Sequence, residues 1–272
     1  MILIVLPAYN EGKNLCSLLP KIRKEMTAAG FEYAVLIVND GSVDDTGSVV
    51  REFAGHMPVI LIEHRLNRGL GETIRDAFEK AAEMCRPEDV IVRMDADDTH
   101  DPKYVVDMVR KMEEGYDIVV ASRFLPTSSS RGLTSDRELT SRAANLLMRL
   151  CFPIPGVRDY SNGFRAYRAG LIRDAISIYR NDFIELKGLG FTGTVEKLVK
   201  LRRFRIRMAE VPFELRYDLK QGESKMFSRL TILGYLVLIV KNIYPWGKRV
   251  KGYIREIEEL ERSATKTRVR AS

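Results

Sequence analysis

The sequence gathers four aspartates in one short segment. Asp95, Asp97, Asp98 and Asp101 lie within RMDADDTHDP, residues 93–102, directly after the apolar run DVIV. Two carboxylates two positions apart at a strand end suit a hard divalent cation, and Mg²⁺ needs only one or two carboxylates besides substrate phosphates. A solvated acidic turn that leads into a helix has the same composition, because a helix N-terminus favours negative charge. The segment alone therefore predicts either a metal site at Asp95 and Asp97 or an acidic turn, and Asp98 and Asp101 fit helix-capping or first-turn positions.

The overall charge of the chain favours anionic partners. Lys and Arg outnumber Asp and Glu by 44 to 37, a formal net charge of +7. Such a surplus suggests phosphates, nucleic acid or an anionic membrane surface as partners, although a merely solvated basic surface gives the same number. With 272 residues, 45% of them hydrophobic, the chain can bury one sizeable core or two smaller ones, which excludes a disordered tail.

The cysteines and the first residues indicate the redox environment in which the protein works. Cys16, Cys85 and Cys151 are odd in number, far apart and without a CxxC pair, so neither a disulfide framework nor a zinc site is expected. A reducing, cytosolic environment follows as the default. The opening MILIVLPAYNEG has no basic n-region and only a short apolar run, so it predicts a first strand rather than an export signal.

Short β-branched runs alternate with segments of helical period, which predicts a parallel sheet with crossover helices. Near-continuous apolar strands indicate a sheet covered on both faces, and ligands of such sheets bind outside the carboxyl ends of the strands. The predicted strands are 2–6, 34–40, 59–64, 89–95 and 117–122, and the predicted helices lie near 14–29, 44–54, 71–85 and 102–114.

Polar clusters fall where these strands end. They are PAYNEG (7–12), NDGSVDD (39–45), HRLNRGLG (64–71) and DADD (95–98). The glycines of HRLNRGLG precede a helix but do not form a full GxGxxG, so we expect them to serve packing rather than phosphate binding. The predicted sheet edge therefore collects the side chains that a ligand would contact.

Five segments taken together carry a family resemblance. PAYNEGKNL, VNDGSVDDT, MDADDTHDP, NGFRAYRAGL and GESKM occur in the order and rough spacing of the family 2 glycosyltransferases, and the chain resembles their dolichol-phosphate mannose synthase branch over about residues 1 to 226. The resemblance implies an α/β GT-A (Rossmann-like) fold with a mostly parallel central sheet flanked by helices. It also implies a nucleotide-diphosphate sugar of GDP or UDP type, a divalent cation, Mg²⁺ or Mn²⁺, and inversion at the anomeric carbon.

The resemblance assigns the donor site. Asp40 would hydrogen-bond the nucleobase, although an Asp at this position can also cap the turn NDGS. Lys225 of GESKM would close over the diphosphate, although it could also be an ordinary loop lysine. The other implied donor residues are Pro7, Tyr9 and Glu11 around the nucleotide and Asp95, Ala96 and Asp97 around the metal and diphosphate.

The resemblance also assigns an acceptor phosphate to Arg123, Arg137 and Ser141. The last two are four positions apart, so a helix over 136–151 would place them on one face. The arginine fork can donate two parallel hydrogen bonds to a phosphate. We expect the linker 125–136, rich in Ser with Gly and Pro, to be a mobile loop above the site. Leu139, Ala143, Leu146 and Leu150 recur on another side of the helix and are expected to anchor it to the domain.

The acceptor decides the chemistry. A phosphate monoester has a second pKa of about 6 and can attack without a catalytic base. A hydroxyl acceptor would need one, for which Asp159 or Glu196 could serve. Two reactions therefore remain open: transfer of mannose or glucose to a polyprenyl or dolichyl phosphate, or transfer to a sugar or protein hydroxyl in cell-surface glycan synthesis. The catalytic residues implied are Asp97, Arg123 and Lys225, and Asp159, Arg165 and Glu196 would either orient sugar or acceptor or form structural ion pairs.

The sequence also bears on alternative functions and on selectivity for the nucleobase and the sugar. A nucleotide-binding regulatory domain would not need the acceptor arginines. The run RRFRIR (202–207) could bind nucleic acid, but its alternation also fits an edge strand, and no nucleic-acid partner is expected. Asn39 and Asn162 depart from the branch's usual acid and Ser, and GFTGTVE (190–196) lacks the aromatic residue often found before the glutamate, which leaves base and sugar selectivity open.

The C-terminal segment suggests a membrane surface. Within 226–255 the apolar stretch 230–240 is shorter than the ~20 residues of a spanning helix. Tyr244 and Trp246 follow it, with Lys and Arg residues that would attract anionic headgroups. We expect an amphipathic helix in the interface, on the cytoplasmic face of the membrane; packing on the domain or docking on a membrane-embedded partner are alternatives. The predicted divisions are a catalytic domain, 1–225, a helical membrane-interface segment, 226–262, and a disordered basic tail, 263–272.

Overall fold

The computed structural model describes residues 1–219, 228–243 and 248–271. Its strands are β1 (Ile2–Ala8), β2 (Tyr33–Asn39), β3 (Val59–Glu63), β4 (Val90–Arg93), β5 (Ile118–Ser122), β6 (Ser129–Arg131), β7 (Arg165–Arg168), β8 (Met208–Pro212) and β9 (Glu214–Arg216). Seven of them form one sheet in the order β3-β2-β1-β4-β7-β5-β8, and β6 pairs with β9. Strand β7 is antiparallel to both neighbours, while the other pairs of the large sheet are parallel.

Helices cover both faces of the large sheet. They are α1 (Gly12–Ala28), α2 (Thr46–Ala54), α3 (Leu70–Met84), α4 (Lys103–Glu113), α5 (Ser135–Cys151), α6 (Ala169–Tyr179), α7 (Thr192–Leu201), α8 (Ser228–Ile243) and α9 (Lys248–Ala271). Helices α1 and α4 bury Leu18 and Met108 on one face, and α3 and α7 bury Phe78 and Leu198 on the other. Burying such a side chain contributes about 1.5–3 kcal/mol. The predicted two-faced, mostly parallel α/β sheet is therefore confirmed.

Two segments differ from their predicted form. The linker 125–136 contains β6, whose pairing with β9 ties it to the domain instead of leaving a mobile loop. The Oγ of Ser128 adds a hydrogen bond to the Ser122 carbonyl at 2.6 Å. The run 202–207 forms turns after α7 and not an edge strand, because the edge strand β8 begins at Met208.

Helix α5 packs through a different face from the one predicted. Leu139, Leu146 and Leu150 are 70%, 55% and 71% exposed, so they do not anchor the helix to the domain. Asn145 and Met148 are buried in their place. The periodicity shows that the leucines share a face of α5. The opposite face, which carries the hydrogen-bonded Asn145, packs against the domain.

The C-terminal helices pack on the domain. Leu238 of α8 and Ile257 of α9 are buried, and the Tyr253 hydroxyl contacts Asp182. No helix within the described residues is long and apolar enough to cross a membrane. The outward side of α8 is also apolar, which differs from a simple amphipathic division: Ile232, Leu233, Leu236 and Val240 are each at least half exposed. Helix α9 extends to Ala271 and thus includes most of the predicted tail, 263–272.

Candidate active site

Two loops are joined at the carboxyl ends of β1 and β2. The Asn10 N–H donates to Ser42 Oγ at 2.8 Å, and the Val43 N–H donates back to Asn10 Oδ1 at 2.9 Å. The Glu11 N–H donates to Thr46 Oγ1 at 2.9 Å. These reciprocal bonds hold the backbone that carries the predicted nucleotide-pocket residues Pro7, Tyr9 and Glu11.

Asp40 lies beside this platform, where β2 ends. Its buried carboxylate accepts hydrogen bonds from the backbone N–H groups of Arg68 and Gly69 at 2.9 and 2.8 Å and contacts His64 Nδ1 at 2.6 Å. Burial alone would raise the pKa of Asp40, but these hydrogen bonds hold it below its usual value. The carboxylate therefore orders the loop between β3 and α3. In the first turn of α3, Gly71 approaches the backbone of Lys187 so closely that a Cβ would lie 2.6 Å from the Lys187 Cα, as expected of a packing glycine.

The aspartate segment follows β4 at the same edge of the sheet. Asp97 is buried, and its Oδ1 accepts from the hydroxyl of Thr99 at 2.6 Å. Asp95 is 32% exposed, and its Oδ1 lies 2.5 Å from Nη2 of Arg93. Asp98 does not cap a helix but pairs with Lys21 at 2.6 Å, whereas Asp101 Oδ1 accepts from the Lys103 N–H at 3.0 Å. Asp101 therefore fits the predicted helix start.

His100 holds the backbone of Asp95 in place. The Asp95 N–H donates to His100 Nδ1 at 3.0 Å, so the proton of the neutral ring sits on Nε2. The ring stacks on Phe164 with 4.8 Å between centroids and meets Phe213 edge-on. Burial in these aromatic surroundings lowers the pKa of His100, which keeps the ring uncharged.

The carboxylates of Asp95 and Asp97 suit a metal ion whose remaining ligands come from the substrate and water. Within the described residues no group of three or more His, Cys, Asp or Glu side chains could hold a metal ion. Two carboxylates are enough for Mg²⁺ when substrate phosphates and water supply the rest. Asp95 Oδ2 lies 3.6 Å from His100 Nε2, which is too far for a good hydrogen bond. The Asp95 side chain is partly exposed. An oxygen of Asp95 is thus available to a cation.

Arg123, at the end of β5, forms a two-pronged ion pair with Asp159. Its Nε and Nη2 donate to the two carboxylate oxygens at 2.8 Å each, and Nη2 also donates to Ser161 Oγ at 2.7 Å. The Asp159 side chain is fully buried. Burial would raise its pKa, but the Arg123 guanidinium holds the pKa of this carboxyl below its usual value. The pair fixes the plane of the guanidinium at the sheet edge.

Helix α5 connects to this pair through Asn145. The Asn145 side-chain amide donates to the Ser141 carbonyl at 2.7 Å and to Ser161 Oγ at 2.9 Å, and its Oδ1 accepts from the Tyr160 N–H at 2.6 Å. Ser161 therefore contacts both Arg123 and Asn145, which brings the predicted acceptor residues Arg123 and Ser141 to one place. Arg137 lies one turn before Ser141 on the helix, and its side chain, like the whole of Lys225, falls outside the described residues.

With this geometry in place, the match to known families is specific. The model of Glycosyl transferase family 2 matches residues 3–175. The chain belongs to glycosyl transferase family 2. The predicted family is therefore confirmed, and both the aspartate segment and the Arg123–Asp159 pair lie within the matched region.

Curated relatives of this family 2 chain have named lipid-phosphate substrates. The undecaprenyl-phosphate mannosyltransferase of Micrococcus luteus is 32% identical over 247 residues, 90% of this chain and 93% of that protein. The dolichol-phosphate mannosyltransferase of Pyrococcus furiosus is 29% identical over 234 residues, 86% of this chain. The aligned part is 61% of the Pyrococcus protein, so the chain spans about three fifths of that relative.

Solved structures share the fold of this family 2 chain. Glucosyl-3-phosphoglycerate synthase from Mycobacterium tuberculosis, in complex with Mg²⁺ and UDP, aligns with a TM-score of 0.59 at 18% identity and covers 88% of this chain and 79% of that one. S. aureus TarS 1-349 aligns with a TM-score of 0.56 at 18% identity and covers 94% of this chain and 70% of that one. The likeness confirms the predicted GT-A fold. The Mycobacterium protein is also solved with Mn²⁺ and UDP.

Asp159, Arg165 and Glu196, predicted either to orient substrate or to form structural ion pairs, do not lie together. Arg165 is fully buried and donates to the carbonyls of Thr194 at 2.8 Å and Tyr160 at 2.5 Å. Glu196 lies in α7, where it pairs with Lys200 and accepts from the N–H groups of residues 185 and 186 at 3.1 and 2.9 Å. Asp159 contacts the predicted acceptor residue Arg123, whereas Glu196 and Arg165 bind backbone groups elsewhere.

Sequence reasoning missed several members of the site. Ser161 and Asn145 bridge Arg123 and α5, and Tyr235 of α8 is buried beside the charges of Arg123 and Asp159. Burial raises the pKa of Tyr235 to about 12, with the nearby arginines opposing the shift, so the phenol stays protonated. These residues have no motif signal, because their contacts join segments far apart in the chain.

Proposed function

We propose that this chain transfers a hexose, mannose or glucose, from a nucleotide-diphosphate sugar of GDP or UDP type to a polyprenyl phosphate, with inversion at the anomeric carbon. The names of the two relatives support a lipid-phosphate acceptor. The sheet edge supports the donor side, because the ends of β1, β2 and β4 lie in adjacent register.

The contacts of the two candidate bases, Asp159 and Glu196, favour a phosphate acceptor over a hydroxyl acceptor. A hydroxyl acceptor needs a general base. Asp159 is bound on both oxygens by Arg123, which holds its pKa below the usual value and makes it a poor base. Glu196 is buried and engaged by Lys200 and two backbone N–H groups. An ionised phosphate acceptor requires neither residue, so the arrangement favours the phosphate over the hydroxyl.

The donor would meet Asp95 and Asp97. These two carboxylates would hold Mg²⁺ or Mn²⁺, and such an ion, when bound, neutralises charge that develops on the departing diphosphate. Thr99 holds Oδ1 of Asp97, and His100 fixes the Asp95 backbone. The protein thus presents its carboxylates in fixed positions, which lowers the cost of aligning donor and acceptor.

The acceptor phosphate would meet the outward side of Arg123. Nε and Nη2 of this guanidinium are directed at Asp159 and Ser161, and no described residue accepts a hydrogen bond from Nη1. Nη1 therefore offers two N–H groups in a plane that the ion pair has already fixed. Arg137 and Ser141 on α5 would complete the phosphate site, and Lys225 would act on the diphosphate.

The membrane would be reached through exposed apolar helix surfaces. Leu233 and Leu236 on α8 and Leu146 and Leu150 on α5 are exposed. Such residues can enter the headgroup and acyl boundary, while nearby basic side chains attract anionic lipids. We infer a peripheral location on the cytoplasmic face of the membrane, where the polyprenyl chain stays in lipid as its phosphate reaches Arg123.

The test is transfer of label into lipid. Purified protein is incubated with a panel of labelled GDP and UDP sugars, a short polyprenyl phosphate and Mg²⁺ or Mn²⁺. One donor should move its label into the organic phase. If every donor stays in the aqueous phase, or label moves only to soluble hydroxyl acceptors, the proposed function is wrong.

A further inference from the structure

An arginine stands beneath the aspartate segment. Arg93 ends β4, after the buried apolar residues Val90, Ile91 and Val92, and is itself buried. Its Nη2 lies 2.5 Å from Oδ1 of Asp95. One of the two carboxylates suited to a divalent cation therefore already has a cationic partner supplied by the protein.

The guanidinium cannot readily turn away from Asp95. It packs so closely against Gly163 that a Cβ on that glycine would lie 1.5 Å from Arg93 Nη1. The Nε and Nη2 atoms of Arg93 are buried, and the contact of Nη2 with Asp95 Oδ1 is an ion pair without hydrogen-bond geometry. The ionic contact with Asp95 is the one salt bridge of Arg93 within the described part of the chain. Packing against Gly163 thus fixes the positive charge at the carboxylate.

Two further basic side chains, one of them an arginine, lie near Arg93. Arg165 faces Arg93 directly across the pairing of β4 with β7, and Lys197 of α7 is buried close by. Burial and the two arginines lower the pKa of Lys197 well below its usual value, and its amine donates to the Gly193 carbonyl at 3.0 Å. The neighbouring Glu196 pairs with Lys200. Among the described residues, Asp95 is therefore the carboxylate that forms an ion pair with Arg93.

We propose that Arg93 is a positioning residue that sets the affinity of Asp95 for a divalent cation. It holds Oδ1 and turns Oδ2 toward the ligand edge, while its fixed charge opposes metal binding until a nucleotide diphosphate brings negative charge of its own. Metal and nucleotide then bind together rather than the metal alone. This inference rests on the proposed function, since it assumes a metal-assisted nucleotide-sugar donor.

Binding of Mn²⁺ to the full chain without nucleotide tests the inference. Free Mn²⁺ is measured by electron paramagnetic resonance for the wild type, for Arg93→Met and for the control Arg168→Met. Arg168 is at the other end of β7 and donates to the carbonyls of Glu88 and Met112. The Arg93→Met protein should bind Mn²⁺ at least about tenfold more tightly, because a full charge a few ångströms from the ion is removed. The control should match the wild type.

Further variants keep the test decisive. Adding Asp95→Ala to Arg93→Met should abolish the gain, and Arg93→Gln serves if the Met variant does not fold. Unchanged or weaker binding in the folded Arg93 variant overturns the inference, as does an equal gain in the Arg168 control or no Mn²⁺ binding in any variant. Label transfer by the wild type is measured separately, so the proposed function can fail or stand independently of the Arg93 result.

Discussion

The ion pair of Arg123 and Asp159 is buried and joins two distant segments of the chain. The two side-chain contacts of Arg123 with the Asp159 carboxylate measure 2.8 Å, and Ser161 and Asn145 extend the network to α5. A buried pair of this kind adds little net stability, but removing one partner leaves the other uncompensated. Asp159 therefore fixes the orientation of Arg123, and we expect that replacing it destabilises the fold.

Replacing Asp159 with Asn should destabilise the protein in a pH-dependent way. The folded-state pKa of Asp159 lies below its usual 3.8, so its contribution is fully present above that value and is lost as pH falls through the folded pKa. At pH 7 the unfolding free energy of Asp159→Asn should fall by about 3 kcal/mol. The difference from wild type should shrink below about pH 4, as measured by urea denaturation across pH.

The matched control is Asp101→Asn, an Asp of the partly exposed turn before α4 that pairs with Lys103. It should change the unfolding free energy by less than about 1 kcal/mol at either pH. A pH-independent loss in Asp159→Asn, or a loss no larger than the control, would contradict the role of the Arg123 pair.

Replacing Asp97 with Ala should remove metal-dependent transfer and keep the fold. The side chain lies in the loop after β4 and bonds locally to Thr99, so no core cavity opens. Loss of a metal-binding carboxylate should lower the rate by about a hundredfold or more. Asp101→Ala, in the same segment, should retain nearly full activity. Transfer rates with Mg²⁺, Mn²⁺ or chelator, together with circular dichroism, decide the matter; normal turnover of Asp97→Ala in chelator would refute the metal assignment.

The residue pattern predicted where the polar clusters lie but not how they pair. Asp40, Asp95 and Asp97 could be placed at strand ends, because apolar runs and turn residues mark those ends. The contact of Arg123 with Asp159 could not, since 36 positions separate them and no local pattern couples them. The same holds for Arg93, a charged residue that ends the apolar strand β4. Its contact with Asp95 could be recognised only from the structure.

Helices α5 and α8 carry apolar residues that the domain does not cover. On α5 the sequence predicted the correct helix but the wrong packing face, because Asn145 bonds to Ser161 and turns the leucines outward. On α8 the inner side is fixed by Tyr235 and Leu238, and apolar residues also occupy the outer side. Exposed apolar surface of this kind marks interaction with a membrane or partner.

Replacing the outer residues Ile232, Leu233 and Leu236 of α8 with Ser should weaken binding to anionic liposomes. These three are 50%, 52% and 52% exposed, so the core is kept while the surface that would enter lipid is removed. Each lost side chain removes up to about 1.5 kcal/mol, and the partition coefficient should fall at least tenfold. Flotation of the folded proteins measures the effect.

A matched control removes exposed apolar residues elsewhere. Val43 and Leu66 are 86% and 77% exposed and lie outside α5 and α8, so Val43→Ser with Leu66→Ser should leave flotation unchanged. If the α8 variant floats as well as the wild type, or if the control loses binding equally, membrane contact by α8 is wrong.

The sequence predicted the succession of strands and helices better than it predicted how the strands pair. Alternating apolar runs and helical periods predicted β1 to β5 and the helices between them, with ends displaced by a few residues. The insertion of antiparallel β7 between β4 and β5 was not predicted, since its residues RAYR are short and half charged. Its place is set by pairing with β4 and β5, and this pairing brings Arg165 opposite Arg93.

The most direct test of the proposed reaction compares two lipids that differ only in the phosphate. The protein is supplied with its labelled nucleotide sugar and either a polyprenyl phosphate or the polyprenol of the same length, and labelled lipid is counted over time. Because Asp159 and Glu196 are engaged within the protein, the site lacks a free base from either residue for a hydroxyl. We expect label on the polyprenyl phosphate and none above background on the polyprenol. Comparable transfer to both lipids, or transfer to the polyprenol alone, would contradict the proposal.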